Sequence, residues 1–361
     1  MIFVGSLQYS PVYKTHCCAF GKACEEEGYD VRYLFSSEYK WMLSEDVIKK
    51  SFFIGSSDNI HQMVIDTLNL KNISYINKII SEKTPTHVYI HNYHLLNHYI
   101  ASAVKNNGGK FVYHVHEPYV ENKAAHRGTQ QYWLHINELM EERLLRKTDI
   151  AIVSSNEASR LFDMRYPWYE GIKIKIPLMY ENLIKNINSK EERLYLTFIG
   201  PPVPAKGPDI FLKILDYSNE KELNNEFLLI TRSKILDKKY DKKNLTIYYK
   251  SKISDEEFGD LINKSLSVIT PYRRETQSSV VLVSYMYGTP VVSTNIGGLP
   301  EFVRHGETGY LVHVNATVEE WIRGINYTIN NFNNMTVKCR RYFVKNHSED
   351  NWKKYLSDLL R

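Results

Sequence analysis

Cysteine is scarce in this chain: four in 361 residues, at Cys17, Cys18, Cys24 and Cys339. Three of them crowd one predicted helix and none forms a C-x-x-C pair. That argues against a zinc site or a disulfide framework and for reduced, cytosolic thiols. Long apolar runs are missing too. No stretch approaches the roughly 18 apolar residues of a membrane-spanning helix, so none is expected to cross a bilayer. The opening Met1–Gly5 has no basic lead and no long apolar core, and reads as a first strand rather than a signal peptide. Neither charge sign dominates. Lys and Arg number 46, Asp and Glu 41, for a net charge of +5. That balance does not point to nucleic acid, and it permits loose contact with an anionic membrane surface or an anionic substrate. There is no D-x-D pair, no internal repeat and no low-complexity tract. Sequons such as Asn244-Leu-Thr246 read as chance occurrences in an Asn-rich chain.

What is present is a soluble globular composition, 43% hydrophobic and 24% charged. The length exceeds what one ordinary core supports, so two domains are expected. Apolar strand-like runs alternate with helical patterns throughout, the signature of parallel α/β units. Strands are predicted at Met1–Gly5, Val31–Phe35, His87–His91, Phe111–His116 and Ile150–Ser154. Helices are predicted at Tyr13–Glu27, Leu95–Asn106 and Gln131–Arg146. The alternation breaks down between Ile176 and Glu192. It resumes with strands at Leu194–Gly200, Phe227–Ile230, Leu245–Tyr249, Ser267–Thr270, Thr289–Ser293 and Tyr310–Val312, and helical patterns at Trp321–Asn331 and from Tyr342 onward. In open parallel sheets, ligands bind at the C-terminal ends of the strands.

The segment Pro271–Val312 carries the most information. It reads as a loop (Glu275-Thr276-Gln277-Ser278-Ser279), an apolar helix, a buried strand, a tight loop at Gly297-Gly298 and a short helix holding Glu301. A loop that opens a helix aims backbone N–H groups at an anion. Upstream, Phe198–Gly207 reads F-I-G-P-P-V-P-A-K-G. A strand ends at Gly200, a loop follows, and Lys206-Gly207 opens a helix, where a phosphate finds both a helix N-terminus and an ammonium. Ser254 followed by Glu257 has the spacing of a capping box.

This ordered set resembles the donor-sugar site of the retaining glycosyltransferases of family 4. The resemblance covers nearly the whole chain and is strongest from Phe198 to Val312. It implies the α/β GT-B fold: two Rossmann-like doubly wound domains facing across a cleft. Residues 1–178 would form the acceptor-side domain, 179–193 a linker and 194–341 the donor domain. A C-terminal helix, 342–361, would pack back on the first domain around Trp352. The implied reaction moves a sugar from a nucleotide-diphosphate-sugar donor, most simply a UDP- or GDP-sugar, to an acceptor hydroxyl with retention. No metal or cofactor is expected. A lysine, a helix terminus and loop amides can stabilise the leaving diphosphate as its charge develops.

Carried over position by position, the resemblance implies donor-side contacts from Gly200, Lys206, Gly207, Arg232, Ile253, Glu275, Thr276, Gln277, Ser278 and Ser279. His116 would sit by the reacting centre with Glu275 and Lys206, and Tyr9, His16 and His91 on the acceptor side. Two departures stand out. Pro201 replaces the arginine usual at the strand end, with Arg232 a candidate substitute. Val283 replaces the second glutamate usual eight residues after Glu275, as in a subset of similar enzymes with a Q-S-G-like loop. Arg273 and Arg274 face the phosphates, pair with Glu275 or are solvated. The cluster His91, His94 and His98 spans a strand end and a helix start, so it is not expected to bind metal. The expected partners are a nucleotide sugar and a glycan, lipid-linked or small-molecule acceptor. The expected location is the cytoplasm, with peripheral contact at the inner membrane face permitted. The alternatives are a non-catalytic GT-B binding protein and another GT-B enzyme, an epimerase or a phosphorylase.

Overall fold

The computed structural model describes residues 1–56, 60–118, 129–184 and 186–360, with the side chains of 60 and 129–135 excepted. The chain forms two compact units, residues 1–181 with 348–361 and residues 182–347.

Unit 1 holds a seven-stranded parallel sheet. Its strands are β1 (Ile2–Ser6), β2 (Val31–Phe35), β3 (Ser51–Phe53), β4 (His87–Ile90), β5 (Lys110–His114), β6 (Ile150–Val153) and β7 (Ile172–Lys175), in the order β3-β2-β1-β4-β5-β6-β7. Between them run α1 (Pro11–Glu26), α2 (Glu45–Lys49), α3 (Ile60–Leu68), α4 (Leu70–Lys83), α5 (Asn97–Asn106), α6 (Thr129–Leu145) and α7 (Asn156–Arg165). The central strands are covered on both faces, so they are almost continuously apolar. Their side chains divide by the two-residue period. Phe3, Val88 and Ile90 enter the core on one face, while Ile2, Val4, Tyr89 and Val112 enter the core on the other.

Unit 2 repeats the plan with β8 (Tyr195–Ile199), β9 (Glu226–Thr231), β10 (Leu245–Tyr249), β11 (Ser265–Thr270), β12 (Val291–Thr294) and β13 (Gly309–Val312), in the order β10-β9-β8-β11-β12-β13. Its helices are α8 (Pro208–Glu220), α9 (Asp255–Asn263), α10 (Ser279–Met286), α11 (Leu299–Phe302), α12 (Val318–Asn330) and α13 (Phe332–His347). Both sheets have the doubly wound order in which chain direction reverses beside the first strand. Each therefore has a switch point, between β1 and β4 in unit 1 and between β8 and β11 in unit 2. Thr317 and Glu320 close a capping box on α12. At α9 only half of the expected box forms. Ser254 Oγ accepts from the Glu257 amide, but the Glu257 carboxylate takes Tyr248 and Lys250 instead.

The return to unit 1 begins later than the sequence pattern places it. Helix α13 runs unbroken to His347, whose ring lies 5.3 Å from Tyr342 and 6.0 Å from Phe302. That contact keeps residues 342–347 in unit 2. The chain re-enters unit 1 at Ser348, and α14 (Lys353–Leu359) follows. The fully buried Trp352 stands 4.8 Å from Phe20 and 5.2 Å from His16, both on α1.

The segment read as a linker ends on a staple. Arg193 is 5% exposed, and its guanidinium donates to Thr289 Oγ1 (2.7 Å), the Ser265 and Tyr287 carbonyls (2.9 Å each) and the Asn188 carbonyl (3.2 Å). It also lies 5.0 Å over the Phe332 ring. Burial lowers its pKa to about 10, so it remains charged at neutral pH. Arg193→Ala leaves several buried acceptors unsatisfied and is expected to cost unit 2 about 3 kcal/mol or more. Arg193→Lys, lacking the fork, restores only part of that. Denaturant unfolding of the two variants measures both effects.

Candidate active site

Two groups of side chains gather at the C-terminal ends of the central strands, one in each unit.

In unit 2 the group sits at the switch point. β8 ends at Ile199, and Gly200 takes φ +123°. A short turn, Pro204–Lys206, leads through Gly207 (φ +65°) into α8, with Pro208 in the first turn. A Cβ on Gly207 would stand 1.9 Å from the Pro271 carbonyl oxygen, so the start of α8 and the end of β11 touch through backbone alone. That approach brings Lys206 beside the loop after β11. Its ammonium donates to Glu275 Oε2 and lies 4.0 Å over the Tyr272 ring. Glu275 is 4% exposed, and Thr276, Gln277 and Ser278 are buried with it. Ser278 Oγ caps α10 by accepting from the Val281 amide. Beside the Lys206 ammonium, burial dominates at Tyr272, pushing its phenol up to about 12.

The loop after β12 closes this site from another side. The Gly298 amide donates to the Glu275 carbonyl at 2.9 Å. Gly297 has φ +54°, and a Cβ there would stand 2.1 Å from the same carbonyl oxygen. Lys206 and Glu275 thus form an ion pair beside the start of α8 at Gly207, with Thr276, Gln277 and Ser278 buried in the same loop. Arg273 does not join them. Its guanidinium makes a two-pronged contact with Asp209, in the first turn of α8, at 2.6 and 2.8 Å, and donates to the Pro204 carbonyl. Arg232 is exposed past β9 and donates to the Ser251 carbonyl at 3.1 Å. Ile253 is buried two residues further on.

In unit 1 the group is a set of aromatic nitrogens. Tyr89 and His91, two apart on β4 and just past it, share a face with His114 on the neighbouring β5. Helix α1 lays His16 over that face. The Tyr89 phenol oxygen lies 2.8 Å from His16 Nε2, 3.0 Å from His91 Nδ1 and 2.9 Å from His114 Nδ1. His114 Nε2 meets Ser154 Oγ at 2.7 Å. His116 lies just beyond β5, which ends at His114 rather than at His116 as the sequence pattern suggests. Its half-buried ring stacks on His114 (4.5 Å, 6° between planes) and meets His91 edge-on at 4.4 Å. Burial holds the pKa of His116 down at about 4, and pushes His16, His91 and His114 well below the ordinary histidine value.

Two expectations change here. Tyr9, His16 and His91 are buried within unit 1. Tyr9 packs 5.2 Å from Tyr39, and His16 stacks on His91 at 3.8 Å. Buried side chains of this kind support a surface; they do not present themselves to an acceptor. The histidines that converge also differ from the sequence cluster. Among the described residues the ligand atoms of His16, His91 and His114 lie within 4.8 Å of one another, while His94 caps its own turn by accepting from the Leu96 amide. The middle of that trio is filled by the Tyr89 oxygen. Sequence reading passed over Tyr89, although the alternation in His87-Val-Tyr-Ile-His91 puts it on the histidine face.

Residues 179–350 match the sequence profile of the family described as Glycosyl transferases group 1. A 41.2 kDa protein from the cps region of Klebsiella pneumoniae is 25% identical over 218 residues, 56% of this chain and 58% of that protein. The chain spans about half the length of such curated relatives. Among solved structures, a sucrose-phosphate synthase from Thermosynechococcus elongatus superposes with a TM-score of 0.75 at 12% identity, covering 99% of this chain and 97% of that one. Anabaena HepE in complex with UDP-glucose superposes with a TM-score of 0.71 at 13% identity, covering 100% and 99%. The architecture is the α/β GT-B fold, with two parallel-sheet Rossmann-like units.

Proposed function

We propose that the protein is a retaining glycosyltransferase of family 4, of the variant lacking the second glutamate. It would transfer a sugar from a nucleotide-diphosphate donor to an acceptor hydroxyl in glycan, polysaccharide or glycolipid assembly, without a metal. The observation that carries this reading is the Lys206–Glu275 ion pair at the switch point of unit 2, held where α8 and α10 begin. A diphosphate needs a cation and unsatisfied N–H groups, and Lys206 with the start of α10 offers both. A hexose needs acceptors for its hydroxyls, and Glu275 offers a carboxylate. Lys206 exchanges Glu275 for the diphosphate as the donor enters, freeing the carboxylate for the sugar. Charge then develops on the leaving oxygen beside the ammonium, and that interaction strengthens as the bond breaks.

Arg232 and Ile253 remain donor-side candidates near the base, and His116 the candidate at the reacting centre. His116 is neutral at physiological pH and accepts or donates a hydrogen bond without carrying charge. UDP-glucose, bound by the HepE neighbour, is the first donor to test. Among the described residues no helix is long and apolar enough to cross a membrane, so a lipid-linked acceptor would be met at the bilayer surface.

The test is donor hydrolysis in the absence of acceptor and metal, followed by proton NMR with UDP-, GDP-, ADP- and dTDP-sugars. One donor is expected to be cleaved slowly with its first-formed sugar in the donor's own anomeric configuration. Glu275→Ala is expected to lower that rate about 10²-fold or more, as removal of a group that stabilises the transition state does. Inverted product, or a Glu275→Ala variant as fast as the wild type, contradicts the reading.

A further inference from the structure

We propose that Tyr89 is a positioning residue: its phenol oxygen locks His16, His91 and His114 into one proton arrangement, and that arrangement fixes His116. The proposal rests on the glycosyltransferase reading only for the role of His116.

The argument is a proton count. A phenol carries one proton, so it donates to one partner and must accept from the others. Three imidazole nitrogens surround the Tyr89 oxygen at 2.8–3.0 Å. At least two of them must therefore carry N–H. His16 Nδ1 and His91 Nε2 are buried with no hydrogen-bond partner. A proton on either would be a buried donor with nothing to donate to, so His16 carries Nε2–H and His91 carries Nδ1–H, and both donate to the phenol oxygen. The Tyr89 proton then goes to His114 Nδ1. That leaves His114 Nε2–H to donate to Ser154 Oγ, which is in place at 2.7 Å. The chain runs from His16 and His91 through Tyr89 and His114 to Ser154.

The lock reaches His116 through two contacts. The rings of His91 and His114 flank it at 4.4 and 4.5 Å, one edge-on and one stacked. A backbone group of His91 also hydrogen-bonds its imidazole. Rotation of either flanking ring about its χ angles would break a bond to Tyr89, so His116 is held by rings that cannot turn. Tyr13 closes a further side at 5.3 Å. A metal in the middle of the trio would need the place the phenol oxygen occupies.

Nitrogen-15 NMR on the full chain with labelled histidine tests this directly at pH 7.5. The expected result is Nε2–H for His16 and His114, and Nδ1–H, the minority tautomer of free histidine, for His91. An Nδ1–H signal from His16 or an Nε2–H signal from His91 overturns the proposal. In Tyr89→Phe those tautomers are expected to become mixed. The kcat of donor hydrolysis is expected to fall about 10²-fold, the scale of a small misplacement in an active site, while donor KM stays within about threefold. A folded Tyr89→Phe protein with unchanged kcat also overturns it. Should Tyr89→Phe fail to fold, Ser154→Ala removes the outer end of the chain and is expected to mix the His114 tautomer alone. A chain that binds no nucleotide sugar but shows the locked tautomers defeats the functional reading and leaves the lock standing.

Discussion

Unit 1 is expected to unfold on mild acidification, with a midpoint near pH 5. His16, His91 and His114 are buried and His116 is half-buried, and all four are neutral in the folded state, with pKa values pushed below that of free histidine by desolvation, His116 to about 4. In the unfolded chain each titrates near 6.5. Between those values the unfolded chain binds more protons than the folded one, so stability falls as pH falls through and below 6.5. Each group contributes about 1.4 kcal/mol per pH unit in that window. Four together remove about 5 kcal/mol per unit, against a typical domain stability of about 5–15 kcal/mol. His94 and His98, lowered to about 4 by the same cause, add to the slope. Circular dichroism and tryptophan fluorescence followed from pH 7.5 to 4.5 measure it; Trp352 beside His16 is a local reporter. A transition that is flat down to pH 4.5 would mean the histidines are already protonated or solvated in the fold.

Gly297→Ala is expected to abolish donor binding while leaving the secondary structure intact. The added methyl would stand 2.1 Å from the Glu275 carbonyl oxygen, backbone that no rotamer change can move aside. The left-handed conformation at Gly297 costs an L-residue about 1–2 kcal/mol more. The loop must therefore withdraw, which breaks the Gly298 N–H bond to Glu275 and carries the carboxylate away from Lys206. Thermal-shift titration with the donor found for the wild type reads the loss. Binding within a factor of about two of the wild type, below any meaningful free-energy difference, would show that the Glu275 loop does not form the donor site.

How much of this was readable in the sequence depends on the range of the interaction. The inner strands of both sheets stand out because strands covered on both faces are apolar along their length, as in Ile2-Phe-Val4 and Val268-Ile269-Thr270. The edge strands were harder. β3 is three half-buried residues and β7 is Ile-Lys-Ile-Lys with exposed ends, so neither stands out from loop. The α3–α4 region was not resolved as helix by pattern. In the candidate site, Lys206 and the 275–279 loop were legible because local chemistry, a helix start after a strand, marks them. Their ion pair was not, since it depends on Gly207 meeting Pro271 across 64 residues of chain. The burial of Tyr9, His16 and His91 was invisible for the same reason. Each is covered by partners distant in sequence, Tyr39 for Tyr9 and Trp352 for His16. Arg193 gave no local signal, because all of its acceptors but the Asn188 carbonyl lie 69 to 96 residues downstream.

The central claim is that a nucleotide-diphosphate sugar binds at Lys206 and Glu275. Isothermal titration calorimetry of the full chain with UDP-glucose and the GDP-, ADP- and dTDP-sugars tests it most directly, on the wild type and on Lys206→Ala. The account predicts saturable binding of at least one donor without metal, weakened about tenfold or more when the ammonium is removed, in keeping with about 1.5–3 kcal/mol for a hydrogen bond to a charged group. A donor that binds the Lys206→Ala protein as tightly as the wild type, or no binding of any donor to folded wild-type protein, would contradict it.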